Sequence, residues 1–141
     1  MSLDTTLKTR IRSLIAEELD DLIALRHDLH THPELAFEEV RTSQVVRSRL
    51  QDSGIEFVGD LAGGTGVLGH LPGAEGPSIA LRADMDALPI HELTGVPWAS
   101  RTDGKMHACG HDGHTTILLG AARVLARIAE ETSLPRGVSF V

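Results

Sequence analysis

Between Leu7 and Leu29 the apolar residues Leu14, Ile15, Leu19, Leu22, Ile23, Leu25 and Leu29 recur near the 3.6-residue period, which predicts a helix with one buried side. The pattern breaks at His32-Pro33, because a proline pushes the residue before it out of the helical region. A second helix is expected from Glu38 to Asp52, carrying Val40, Val45, Val46 and Leu50 and stopped by Gly54. The period then changes. Ile55–Val58, Gly66–Leu71 and Ser78–Arg82 are short apolar runs between glycine and proline turns, and they predict strands. Met85 to Lys105 carries Pro89, Gly95, Pro97 and Gly104 and predicts loop. Thr115 to Glu130 predicts a third helix, with Ile117, Leu118, Ala121, Ala122, Leu125 and Ile128 on its buried side. Val138–Val141 predicts a strand that begins as the sequence stops, a pattern expected of a fragment. Helices and strands are mixed, so the expected class is α/β, a mixed sheet flanked by helices.

Composition narrows the possibilities. The 141 residues are one domain's worth, and 41% hydrophobic with 23% charged residues is ordinary for a globular chain. A net charge of −7 and 3% aromatic residues speak against nucleic acid, which needs a basic surface and stacking platforms. A single cysteine excludes an internal disulfide framework and fits a reducing, cytoplasmic setting. No apolar run has the length of a membrane span, and Met1-Ser2-Leu3-Asp4 lacks signal-peptide character.

The densest chemistry is His107-Ala108-Cys109-Gly110-His111-Asp112-Gly113-His114, which holds three imidazoles, the only thiol and a carboxylate. Thiolate and imidazole are the donors of a zinc-type ion, and a ligating imidazole commonly gives its other N–H to a carboxylate. Cys109 and His111 are two residues apart, so in an extended segment both side chains would leave from one face. Two other accounts compete: a lone buried cysteine is usually an inert small hydrophobe, and Cys109 could instead be a nucleophile activated by His107 or His111.

Other motifs carry less. Asp84-Met85-Asp86 follows a predicted strand, at the carboxyl end where α/β sheets gather functional groups, although aspartates are also common in turns. Gly64-x-Gly66-x-x-Gly69 has the spacing of a dinucleotide fingerprint but runs into a strand rather than a helix, so a hairpin is expected. His27, His30 and His32 fall at the end of the first helix, where imidazoles complement the exposed carbonyls. Glu38-Glu39 opens the second helix, where the dipole favours acids.

Several segments in a fixed order carry a family likeness: Leu25–Leu35 (with His30-Thr31-His32-Pro33-Glu34), Gly63–Gly66, Leu81–Ile90, Thr94–Pro97 and His107–Thr115. Through them the chain resembles the N-terminal part of the M20 metallopeptidase and amidohydrolase family, in the branch of aminoacylases, hippurate hydrolases and auxin-conjugate hydrolases. The resemblance implies a zinc-exopeptidase-like catalytic domain, incomplete at its C-terminus, with the smaller lid and dimerisation domain absent from residues 1–141. It implies an amidohydrolase that cleaves N-acyl amino acids or related conjugates through a metal-activated water, and a complete enzyme that is homo-oligomeric. Its cofactor would be a divalent metal, two ions in the complete enzyme, zinc or manganese first and cobalt or nickel also able to fit. By the same likeness Cys109 and His111 are metal ligands, Asp86 orients a ligand, and Asp84, Asp112 and His114 are candidates for supporting contacts. The family's general-base Glu and distal ligands follow the strand that starts at Val138, beyond Val141. The alternative to an enzyme is therefore a truncated, non-catalytic metal-binding fragment.

Overall fold

The computed structural model describes residues 5–141, so the Met1–Asp4 segment lies outside it. Helix α1 spans Thr5–Thr31 and α2 spans Val40–Asp52. Strands β1 (Glu56–Leu61), β2 (Gly66–Leu71) and β3 (Ile79–Leu81) follow, then α3 (His111–Glu131) and β4 (Val138–Phe140). Among the described residues four strands form one sheet in the order β1–β2–β4–β3. β2 runs antiparallel to both β1 and β4, and β3 runs parallel to β4. The sheet is mixed because β1 and β2 are joined by a short turn, whereas β3 reaches β4 only after the long loop and α3.

The glycine-rich stretch is a hairpin, with Gly63 and Gly64 at φ 87° and 120° in its turn. Backbone pairing of the parallel strands continues past their ends: Ala83 N–H donates to Val141 O at 2.9 Å and Val141 N–H to Leu81 O at 2.8 Å. That ladder delivers Asp84 and Asp86 just beyond the carboxyl end of β3.

Helix α1 packs on α3, but the buried stripe differs in phase from the expected one. Leu14, Leu25 and Leu29 are buried and Glu18 lies between them, whereas Ile15, Leu19 and Ile23 are about half exposed. Positions 14, 18, 25 and 29 stay on one helical side, and 15, 19 and 23 drift to the next stripe. Glu18 is tolerated there because α3 supplies its partners, Arg123 at 2.9 Å and Arg127 at 3.1 Å. Ile117, expected on the buried side of α3, is 70% exposed.

Helix α2 begins two residues later than expected. Glu39 is its N-cap residue and makes no side-chain cap bond; instead Glu34 reaches in from the loop after Pro33. Its carboxylate accepts from Arg41 N–H at 2.9 Å and from the Thr42 N–H and hydroxyl at 2.8 and 2.9 Å. Those are two of the orphan donors of the first turn. Glu34→Ala should therefore destabilise the protein by about 1–2 kcal/mol, the cost of a lost cap, read from urea unfolding. An unchanged midpoint would show that water replaces the carboxylate without loss.

Candidate metal-binding turn

The segment expected to be extended is instead a turn running into a helix. Gly110 N–H donates to His107 O at 3.3 Å, and Gly110 takes φ 85°, a left-handed conformation that glycine adopts without strain. His111 is then the first residue of α3, four positions earlier than the predicted start. Cys109 sits in the exposed turn, so strand alternation does not bring it beside His111.

Asp86 joins them. The Nδ1–H of His111 faces both the Asp86 carboxylate, at 2.9 Å, and the Asp86 carbonyl, at 3.0 Å. The Cys109 Sγ lies 3.8 Å from that same carbonyl. With Nδ1 engaged, Nε2 is left as the free nitrogen of His111, the arrangement in which a carboxylate fixes the ring of a ligating imidazole. Thiolate and imidazole together suit a borderline-soft divalent ion, and two donors make half of a tetrahedral set. Among the described residues no group of three or more His, Cys, Asp or Glu side chains is arranged to hold a metal ion.

The remaining candidates separate. Asp84 does not point with Asp86 to one partner: its carboxylate pairs with Arg82 at 2.6 Å, and its carbonyl accepts the Thr115 hydroxyl at 3.2 Å. Both aspartates border a cleft of about 300 Å³ between the hairpin, α2 and the start of α3, with Phe37, Met85, Leu118 and Val141 on its apolar walls. His114 is exposed, its ring 5.6 Å from that of His111. Asp112 is 1% exposed and turns away from His111, toward α1. Its Oδ2 lies 2.9 Å from His30 Nδ1 and 3.4 Å from Arg26 Nε, while Oδ1 has no partner among the described residues.

Sequence reasoning gives His30 only a helix-end role and misses its contacts with two carboxylates. Its second nitrogen, Nε2, lies 3.2 Å from Glu92 Oε1, so the ring spans two buried carboxylates and donates to both when it carries both protons. Burial alone would raise Glu92, but hydrogen bonds from Thr94, the Ser100 N–H and His30 outweigh it and hold its carboxyl below the usual range. His27 stacks on Trp98 at 3.8 Å, and the Thr31 hydroxyl donates to Trp98 O at 3.1 Å. Of the three histidines only His32 serves as a helix-end donor, with Nδ1 2.8 Å from Asp28 O.

His107 is buried, and both its ring nitrogens lack partners among the described residues. Burial pushes its pKa below the ordinary imidazole value of 6.5, against the pull of Asp112. The unfolded chain takes up a proton as pH falls through about 6.5, while the folded ring resists it. His107 therefore contributes stability that is full above that pH and is lost below it. In metal-free protein, urea midpoints of wild type should fall relative to those of His107→Leu between pH 7.5 and pH 5.5. A constant difference would assign the acid sensitivity to other groups.

The chain is a mixed α/β domain that sets Asp86, beyond the carboxyl end of β3, against His111, the first residue of the next helix, the kind of place where α/β proteins gather functional groups. Residues 80–141 match the model of peptidase family M20/M25/M40. N-acetylcysteine deacetylase of Bacillus subtilis (strain 168) is 51% identical over 105 residues, covering 74% of this chain and 28% of that protein. A Rhodococcus jostii (strain RHA1) protein with a provisional glutamate–cysteine ligase 2-3 name is 53% identical over 117 residues, 82% of this chain but 15% of that protein. The crystal structure of Bacillus subtilis YXEP protein, described as a dinuclear metal binding peptidase from the M20 family, superposes with a TM-score of 0.79 at 45% identity. That match covers 92% of this chain and 34% of the other. The chain belongs to the M20 peptidase family and spans about a third or less of the length of these relatives. Among the described residues no helix is long and apolar enough to cross a membrane.

Proposed function

We propose that this chain is the N-terminal portion of the catalytic domain of a metal-dependent amidohydrolase that cleaves N-acyl amino acids or related conjugates. The observation that carries this reading is the Asp86 hub, with the His111 ring at 2.9 Å and the Cys109 sulfur at 3.8 Å from one residue. The deacetylase relative supports the substrate class, and the dinuclear metal description of the solved neighbour supports a metal cofactor; zinc or manganese is our own choice from the donor types. The ligase name attaches to a protein of which this chain matches 15%, so it lends these residues little.

In this reading Cys109 would hold the ion as thiolate, and Asp86 would keep the proton on His111 Nδ1 and leave Nε2 as the free donor. Metal bound there would supply Lewis acidity and an acidified water. Asp84 and Asp86 edge the cleft that would admit the substrate. The remaining ligands, the general base and a lid and dimerisation domain are assigned to sequence outside these residues, in keeping with relatives roughly three times longer. A thiol ligand of this exposure fits a reducing, cytoplasmic setting.

The test is alkylation of Cys109 by iodoacetamide, followed by mass, with and without zinc. Zinc that protects the thiol at near-stoichiometric amounts supports the reading. Alkylation at an unchanged rate in saturating zinc removes Cys109 from the ligand set. If alkylation abolishes turnover of N-acetyl amino acids while chelators do not, Cys109 is a nucleophile instead. Metal binding with no turnover on any such substrate favours a non-catalytic metal-binding fragment.

A further inference from the structure

Helix α3 starts on Gly110, which brings no side chain to cap the first turn; locally that turn is held only by backbone bonds, from Gly113 and His114 N–H to Gly110 O at 3.0 and 3.1 Å. Tertiary contacts add to these, among them the Thr115 hydroxyl on Asp84 O at 3.2 Å and two side-chain holds on the first two residues. His111 is gripped by Asp86, and the next residue, Asp112, is gripped by His30. Consecutive helical residues point about 100° apart, so a hold on Asp112 fixes the direction in which His111 leaves. His30 is 12% exposed at its side chain, while Asp112 and Glu92 are 1% and 3% exposed, so water competes little for these contacts. The other carboxylate carries the same hold into the loop after β3. Glu92 also accepts the Ser100 N–H at 2.6 Å, and Arg101 N–H donates to Thr31 O at 2.9 Å. The end of α1 thus grips the metal-binding turn on one side and the 92–101 loop on the other. Arg26, at 3.4 Å and mostly exposed, is a weaker second hold on Asp112.

We propose that His30 is a positioning residue for the metal-binding turn: by bridging Asp112 and Glu92 it sets the orientation of the His111 imidazole. The inference rests on the metal reading given above. It goes beyond it by assigning a role to a residue that touches neither ion nor substrate.

The experiment is a cobalt titration of the protein, followed by its thiolate-to-cobalt charge-transfer and d–d absorption, on wild type, His30→Ala, His30→Gln and Leu50→Ala. Leu50 is buried under the hairpin and serves as a variant destabilised elsewhere. His30→Ala should weaken cobalt roughly 10-fold or more, as loss of a supporting partner does, and shift the d–d envelope while the thiolate band persists. His30→Gln, whose amide donates to one carboxylate, should fall between, and it carries the test if the alanine variant does not fold. Leu50→Ala should bind like wild type. Wild-type affinity and spectrum in His30→Ala, or equal loss in Leu50→Ala, would overturn the assignment. If wild type shows no thiolate band at all, the metal reading fails and takes this proposal with it, a result distinct from the other two.

Discussion

His111→Ala is expected to weaken zinc binding at the Cys109 turn by well over the roughly 10–100-fold that loss of a supporting partner costs. The variant removes a donor outright and leaves Cys109 without its neighbour. It also strips Asp86 of the ring that it orients at 2.9 Å. The fold should hardly notice. His111 is the first residue of α3, and alanine is the best helix former, so unfolding free energy should change by less than about 1 kcal/mol. Asp86→Ala separates the roles. It keeps both donors and frees the imidazole to rotate, so its loss should lie within the roughly 10–100-fold range. Competition with a chromophoric chelator gives both constants. Wild-type affinity in His111→Ala would show that zinc, if bound, sits elsewhere, and an Asp86→Ala loss as large as that of His111→Ala would make Asp86 itself a ligand.

Local periodicity made much of the architecture legible in the sequence. β2 occupies Gly66–Leu71 as expected, and α1 and α2 end within two residues of their breaks, because proline and glycine there act through their own φ preferences. The candidate metal-binding turn was legible in composition and not in shape. Its glycines and polar residues give no apolar period, so the helix start at His111 was hidden, and with it the fact that Cys109 and His111 each meet Asp86 rather than sharing a face of a strand. The contacts of His30 were out of reach for another reason: its partners lie 82 and 62 residues along the chain, and no local pattern encodes them. Glu34 capping α2 across a loop is the same kind of case, since a cap sought at the adjacent residue finds only Glu39.

The phase of α1 is where stability and site meet, and Leu29 tests it. Leu29 is fully buried, whereas Ile23 is 45% exposed, although the apolar pattern placed both on one side. Leu29→Ala deletes buried methyl groups and leaves a cavity, costing about 2–5 kcal/mol. Against a total of about 5–15 kcal/mol that is a large fraction, and it should lower Tm by roughly 6–20 °C for a chain of this size. Ile23→Ala removes surface that water already half covers and should cost less than about 1 kcal/mol. Calorimetry or urea unfolding distinguishes them, and equal losses at the two positions would mean that α1 is rotated from the orientation described. That rotation matters beyond stability. Leu29 precedes His30, so the same packing that buries Leu29 aims His30 between Asp112 and Glu92, and an α1 set one stripe over would leave both carboxylates buried without that partner.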